Sequence, residues 1–248
     1  MTRLLRRRGS IDTERTRRAG VLLALLDGKL DRQTAAAALS LSDSDPVVLA
    51  TARPTSDDAR ESDAARVVDL VALHDEYWHP GAAAALEAGE VHLLLPVATH
   101  GHVEERLADR LRKLGADLVT AARRSTRVAL TVGFGPAVPG LAQAARSRHL
   151  AVQVLDVLRG DPDRHGPVAT LGDVRAEVVL AALLEGEPFD DEDPRLTQVR
   201  AILAHDAAQG SEYAQTLLTY LGTFGDIVAT AQQPRSRQRR PQPSPSRR

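Results

Sequence analysis

No cysteine occurs in the 248 residues. That one absence removes disulfides, thiolate metal sites and thiol nucleophiles. Aromatic residues make up only 3% of the chain, so any core has to be assembled from Ala, Val and Leu. Lysine occurs only at Lys29 and Lys113, which leaves arginine to carry the basic charge. No run of about 20 apolar residues exists, so no membrane-spanning helix is expected. The apolar run Gly20–Leu26 follows a basic start, but it is short and leads into Asp27-Gly28-Lys29 without a small-residue cleavage site. A signal peptide is not expected, and the anticipated location is cytoplasmic, with no membrane partner.

The apolar fraction is 43%, enough for a buried core in one or two domains. A formal net charge of −1 conceals an asymmetry. Arg3, Arg6, Arg7, Arg8, Arg15, Arg17 and Arg18 crowd one end, and Arg235, Arg237, Arg239, Arg240, Arg247 and Arg248 the other. Basic ends on a near-neutral body point to a polyanionic partner.

Hydrophobic periodicity divides the chain. Thr13–Leu26 and Asp31–Leu39 read as helices, separated by Asp27-Gly28. "PVVLATARP" (Pro46–Pro54) is a largely apolar run between prolines that reads as a buried strand. Asp63–Trp78 has helical spacing, with Val67, Leu70, Val71, His74 and Tyr77 on one face. Ala82–Pro96 reads as a hairpin turning at Gly89, with Val91, Leu93 and Leu95 inward. A helix over Val103–Ala122, a strand over Arg127–Pro136, a helix over Leu141–Leu158 and a short strand over Pro167–Leu171 follow. Helices are then predicted at Asp173–Leu184, Pro194–Ala208, Ser211–Leu221 and Asp226–Gln233, with Asp193-Pro194 as a start signal and Gly210 and Gly222 as stops. Pro234–Arg248 contains only Pro, Arg, Ser and Gln, a composition that predicts disorder.

The last helices carry a resemblance. "ILAHDAAQGSEYAQTLLTYLGTFGDIVATAQ" is similar to the C-terminal region of the PucR/CdaR family of bacterial transcriptional regulators. The matching positions are His205, Asp206, Gly210, Tyr213, Thr216, Leu217, Tyr220, Leu221, Gly225, Thr230 and Ala231. Upstream, Gly133, Gly135, Val138, Gly140 and Leu141 match a second family pattern, and the likeness spans roughly Val21 to Gln233. The resemblance implies an α+β fold: a degenerate GGDEF-like α/β sandwich, then an all-helical region of helix-turn-helix type. The expected divisions are a basic segment 1–20, a sensor or dimerisation domain 21–171, a helical output region 172–233 and a basic tail 234–248. In the family, a further helix with an "H.nT..yRl.ri" motif enters DNA. Residues 234–248 do not carry that motif. Thr230, Arg235, Arg237, Arg239 and Arg240 are therefore the candidate DNA contacts, the arginines acting on phosphate rather than on bases.

A diguanylate cyclase grips nucleotide on a GGDEF turn and holds metal with an Asp on its first strand. The corresponding turn here is Glu87-Ala88-Gly89-Glu90, and Val47-Val48-Leu49-Ala50 has no acid, so no catalysis and no cofactor are expected. His74, His79, His100 and His102 lack the further ligands a zinc site needs. His205-Asp206 suits capping or packing better than catalysis, because neighbours on a helix diverge. The glycines of "GFGPAVPG" read as backbone geometry, since no Lys-Ser/Thr follows them. Trp78 beside Tyr77 suits a core edge or interface, with a ligand-lining role as the other reading. The expectation is a transcriptional regulator with impaired sequence readout, an unidentified small-molecule effector and a homodimeric state, the last because the helices over Val103–Ala122 and Leu141–Leu158 each carry more apolar positions than one small sheet can cover. The alternatives are an interaction module that antagonises an intact paralogue and, weakest, a nucleotide cyclase.

Overall fold

A computed structural model describes residues 2–55, 65–71, 82–97, 104–190 and 192–222. They fall into two units, divided between Pro188 and Phe189.

The first unit is built on a five-stranded sheet of order β2-β3-β1-β4-β5. The strands are β1 (Val47–Pro54), β2 (Ala83–Glu87), β3 (Glu90–Pro96), β4 (Leu130–Phe134) and β5 (Val168–Thr170). β1 pairs antiparallel with β3 on one side and β4 on the other, and β4 pairs parallel with β5. The predicted order β-α-β-β-α-β-α is the order found.

β1 is apolar from Val47 to Ala50 because both of its faces are covered there. Val48, Ala50 and Ala52 join a core with Leu111, Leu114, Leu118 and Ala122 of α4 (Glu104–Ser125). Val67 and Val71, from the helical residues 65–71 (α3), close that side. Val47 and Leu49 point the other way, into a core with Leu22, Leu25 and Leu26 of α1 (Thr2–Leu26) and Leu39 of α2 (Arg32–Leu39). The period-2 alternation of a strand feeds two cores at once.

α5 (Ala144–Gly160) lies on the second face, close against β4. Two glycines permit this. A Cβ on Gly133 would sit 2.6 Å from the Ala151 carbonyl oxygen, and one on Gly135 would overlap the Ser147 carbonyl. Ser147 Oγ accepts from the Leu49 amide at 3.0 Å and donates to the Pro136 carbonyl at 2.8 Å, which fixes the helix on the sheet. The "GFG" glycines are backbone geometry, as read from the sequence.

Three expectations change. α1 is one helix from Thr2 to Leu26, so segment 1–20 is not a separate element. Its Arg and Leu residues propagate the helix through Gly9 and Gly20. The boundary expected at 171 also moves. After a single turn, α6 (Pro162–His165), and β5, α7 (Arg175–Glu185) packs Val178 against Leu150 and Val154 of α5. Asp173 accepts from Thr170 and pairs with Arg112 of α4 at 2.7 Å, so the junction is tied down and the unit runs on to Pro188. Finally, α4 and α5 do not need another chain to cover them. Ala144, Leu150, Ala151, Val154, Leu155 and Leu158 of α5 are all buried within the unit.

In the second unit, Asp193-Pro194 opens a 3-10 turn (Pro194–Leu196) rather than an α-helix, and α8 spans Thr197–Gln209. It ends at Gly210, whose φ of +65° is left-handed, and α9 spans Tyr213–Gly222. The predicted helix Asp226–Gln233 and the tail lie outside the described residues.

Gly135→Ala should lower stability by roughly 2–3 kcal/mol, because α5 must move off β4. Urea unfolding checks this; an unchanged midpoint would show that the helix does not lie on the strand in this way.

Candidate functional site

The β2–β3 turn is the one that the resemblance sets against the GGDEF turn of a cyclase. Its two residues, Ala88 (φ +49°) and Gly89 (φ +81°), are both left-handed, and Glu87 pairs with Glu90 to close it. Two positive φ values define the tight hairpin turn that matches strand twist. The turn is thus a backbone device, and its chemistry lies in the side chains flanking it.

Those side chains form one polar cluster on the α5 face. Strand alternation puts Thr51 and Arg53 of β1, Glu87 of β2, and Glu90 and His92 of β3 on that face. Arg53 donates to Glu90, and Arg148 of α5 donates to Glu87 Oε2 at 3.0 Å. Thr51 Oγ1 and His92 Nδ1 share a hydrogen bond of 3.1 Å, as their register pairing allows. His92 Nε2 faces Glu87 Oε2 at 3.8 Å and Glu90 Oε2 at 3.9 Å, beyond hydrogen-bond reach. The α1–α2 turn adds Asp27 and Lys29, paired at 2.8 Å. The Lys29 ammonium, and more weakly Arg148, hold the Asp27 carboxyl below its usual range.

His92 is only 3% exposed, and burial, with the charge of Arg148, pushes its pKa down to about 4. The nearby carboxylates do not reverse this, because each is already bound by a guanidinium. The imidazole is neutral at physiological pH. Chemically the cluster is a lock: two carboxylates each neutralised by an arginine, around a neutral histidine. Among the described residues, no group of three His, Asp or Glu side chains has the arrangement to hold a metal ion. β1 contributes no carboxylate at all.

This cluster was not legible in the sequence. Glu87, Glu90 and His92 share the hairpin that Gly89 announces, but Arg53 comes from β1, whose register against that hairpin has no sequence signal, and Arg148 comes from a helix far along the chain.

The second unit places His205 and Asp206 at the end of α8. Asp206 accepts from Ser211 Oγ at 2.6 Å and from the Tyr213 and Ala214 amides at 2.9 Å. It therefore caps α9 from the preceding helix, and these bonds hold its carboxyl below its usual range, the Ser211 hydroxyl contributing most. His205 packs on Tyr213 with ring centroids 5.4 Å apart. The capping and packing roles read from the sequence are the ones observed. Asp193 and Arg195 form a buried pair at 2.7 Å, with the guanidinium over the Phe189 ring. Thr230, Arg235, Arg237, Arg239 and Arg240 lie outside the described residues, as do His74, Tyr77, Trp78, His79, His100 and His102.

The class defined so far is a five-stranded α/β domain with a closed hairpin turn, followed by a helical unit. A model of the GGDEF-like domain matches residues 27–157, more than half of the chain, and the protein belongs to that family. No curated protein matches it. No helix among the described residues is long and apolar enough to cross a membrane.

The histidine generates a pH dependence. Its folded pKa, about 4, lies below the ordinary 6.5, so the unfolded chain binds more protons between those values. The stability in question is fully present above pH 6.5 and is lost as pH falls towards 4. Its size is about 3 kcal/mol at 1.36 kcal/mol per pKa unit. His92→Gln, which keeps a partner for Thr51, should lack this component. Parallel denaturant titrations across this range should converge towards low pH; curves that stay parallel would show that His92 is not buried neutral.

Proposed function

We propose that the protein is a transcriptional regulator of the PucR/CdaR type, with its GGDEF-like domain serving as a sensor or dimerisation scaffold rather than a catalyst. The observation carrying this reading is the α8–α9 corner stapled by Asp206, which follows a GGDEF-like domain. A short cap-locked turn between two helices is the framework on which a helix-turn-helix is built. The residues that form the corner, His205, Asp206, Gly210 and Tyr213, are those that carry the family likeness. Readout of bases needs side chains held rigidly in a groove. Residues 234–248 lack the family's recognition motif, so the DNA affinity proposed is arginine–phosphate attraction without sequence preference. An unidentified small molecule is the proposed effector.

The proposed lack of catalysis is supported by Glu87 and Glu90 being engaged by Arg148 and Arg53, and by β1 offering no metal-binding acid. Incubation with GTP and Mg²⁺ or Mn²⁺ should yield no cyclic dinucleotide by chromatography. Product formed at sub-stoichiometric enzyme would overturn this part.

The second reading, an interaction module that antagonises an intact paralogue, is favoured by α9, which exposes several large apolar side chains and carries no charge. Fluorescence anisotropy separates the two. The regulator reading gives affinities of about 10⁻⁴ to 10⁻⁶ M for unrelated duplexes at physiological salt, weakening steeply as salt rises. Deleting residues 234–248 should remove most of that binding. No binding at low salt would favour the interaction module, and a salt-resistant preference for one sequence that survives the deletion would contradict both.

A further inference from the structure

Several arginines of the first unit hold it together. Arg17 pairs with Glu14, Arg32 with Asp43, Arg53 with Glu90, Arg148 with Glu87 and Arg164 with Glu177. On α4, Arg112 does the same work on Asp109 and Asp173. The other cations of that helix do not. Arg106, Arg110, Lys113, Arg123 and Arg124, with Arg127 just past the helix end, are exposed, and none pairs with an acid among the described residues.

Helical spacing gathers them. Arg106, Arg110, Lys113 and Arg124 follow at intervals of four, three and eleven residues, which a helix brings onto one face. The opposite face carries Leu111, Leu114, Leu118 and Ala122, all in the core, so the sheet fixes the direction of the basic stripe. From Arg106 to Arg124 it is about 27 Å long at 1.5 Å per residue. Asp117 lies within it, half-buried, while Glu104 and Glu105 stand in the first turn. Unpaired charges are not buried against apolar surface, because each would lose its hydration without a partner. This face therefore stays in water or meets anions, and that follows from the first unit by itself.

The form of the stripe points to its occupant. Folded proteins mix both signs of charge on their surfaces. A one-dimensional row of cations instead suits a polymer with a charge at every repeat, and duplex DNA carries a phosphate every 3.4 Å along each strand. Single strands are held by stacking bases on aromatic rings, and α4 has no aromatic residue. An interfacial membrane helix needs an apolar face for the lipid, and that of α4 is spent on the core.

We propose that the outer face of α4 is a phosphate-contact surface for double-stranded DNA, with Arg110 and Lys113 at its centre and Arg106, Arg123, Arg124 and Arg127 extending it. The surface belongs to the GGDEF-like domain and uses neither the second unit nor residues 234–248. Only the choice of DNA over RNA rests on the regulator reading. Contacts of this kind position a duplex and carry no base readout.

Fluorescence anisotropy of the full chain with two unrelated duplexes, across a range of salt, tests it. Arg110→Gln with Lys113→Gln should weaken both duplexes alike, by roughly tenfold at low salt, and flatten the slope of log K against log salt by about 2, one for each lost phosphate contact. Arg159→Gln with Arg164→Gln removes the same net charge from exposed positions on α5 and α6 and should leave the slope unchanged. Arg110→Lys, which keeps the charge, should keep the slope. Glutamine suits a helix, so circular dichroism of each variant should match the wild type. Equal losses in the two glutamine pairs, no loss in the α4 pair, or no binding by the full chain would overturn the proposal. Stronger binding to duplex RNA, to vesicles of phosphatidylcholine with phosphatidylserine, or to polyglutamate, lost with the α4 pair, would assign the face to another partner and overturn it too. Binding that is lost on deleting residues 234–248 but indifferent to the α4 pair overturns this proposal alone. Binding lost with the α4 pair and indifferent to the deletion supports it and contradicts only the role of the tail.

Discussion

Strand β1 is hydrogen-bonded along both edges and covered on both faces, and the first unit is arranged to keep it so. β3 and β4 take its backbone groups. α3 and α4 cover Val48, Ala50 and Ala52, while α1 and α2 enclose Val47 and Leu49. α5 completes the second face through the Ser147 hydroxyl, which takes the Leu49 amide. The demand for α5 to lie this close explains why Gly133 and Gly135 follow each other on β4 with only Phe134 between them. A side chain at either would force apart the helix and the sheet, and with them the seal over the strand.

Towards the end of β1 the same alternation stops being apolar. Thr51 and Arg53 continue the face that Val47 and Leu49 began, and they meet Glu90, His92 and Glu87 from the hairpin. Burying Thr51, Glu90 and His92 is costly unless each has a partner. Arg53 and Arg148 supply partners for the carboxylates, and Thr51 for the imidazole. The result is a hairpin base held by ion pairs on the side of the sheet where α5 already presses. A turn that grips nucleotide needs free carboxylates and room for a base. This one has its carboxylates engaged and a tight two-residue turn between them, which supports the proposal that the domain is a scaffold.

How much of this was legible depends on range. The proline-bounded run Pro46–Pro54 announced a strand buried on both faces because it does not alternate. Gly89 announced the turn, and Asp31 and Gly210 the helix limits. Those are local signals. Asp206 as a cap was legible for the same reason, since its partners Ser211, Tyr213 and Ala214 lie within eight residues. The pairing of Arg148 with Glu87 spans 61 residues and rests on strand order, which periodicity does not encode. The first unit's limit was misplaced because α7 looks like the helices after it. Only its packing of Val174 and Val178 onto β5 and α5 assigns it to the sheet. The apolar stripes of α4 and α5 suggested a second chain, although the sheet, α1 and α7 already cover them.

The central claim is that the hairpin is a charge-locked structural turn and not a nucleotide grip. Its most direct test is a heteronuclear NMR titration of the full chain with GTP and Mg²⁺, following the amides of Ala88, Gly89 and Glu90. The expected result is that these amides do not move up to millimolar nucleotide. Saturable shifts confined to the turn and to the end of β1 would contradict the claim and return the domain to the nucleotide-binding members of its fold.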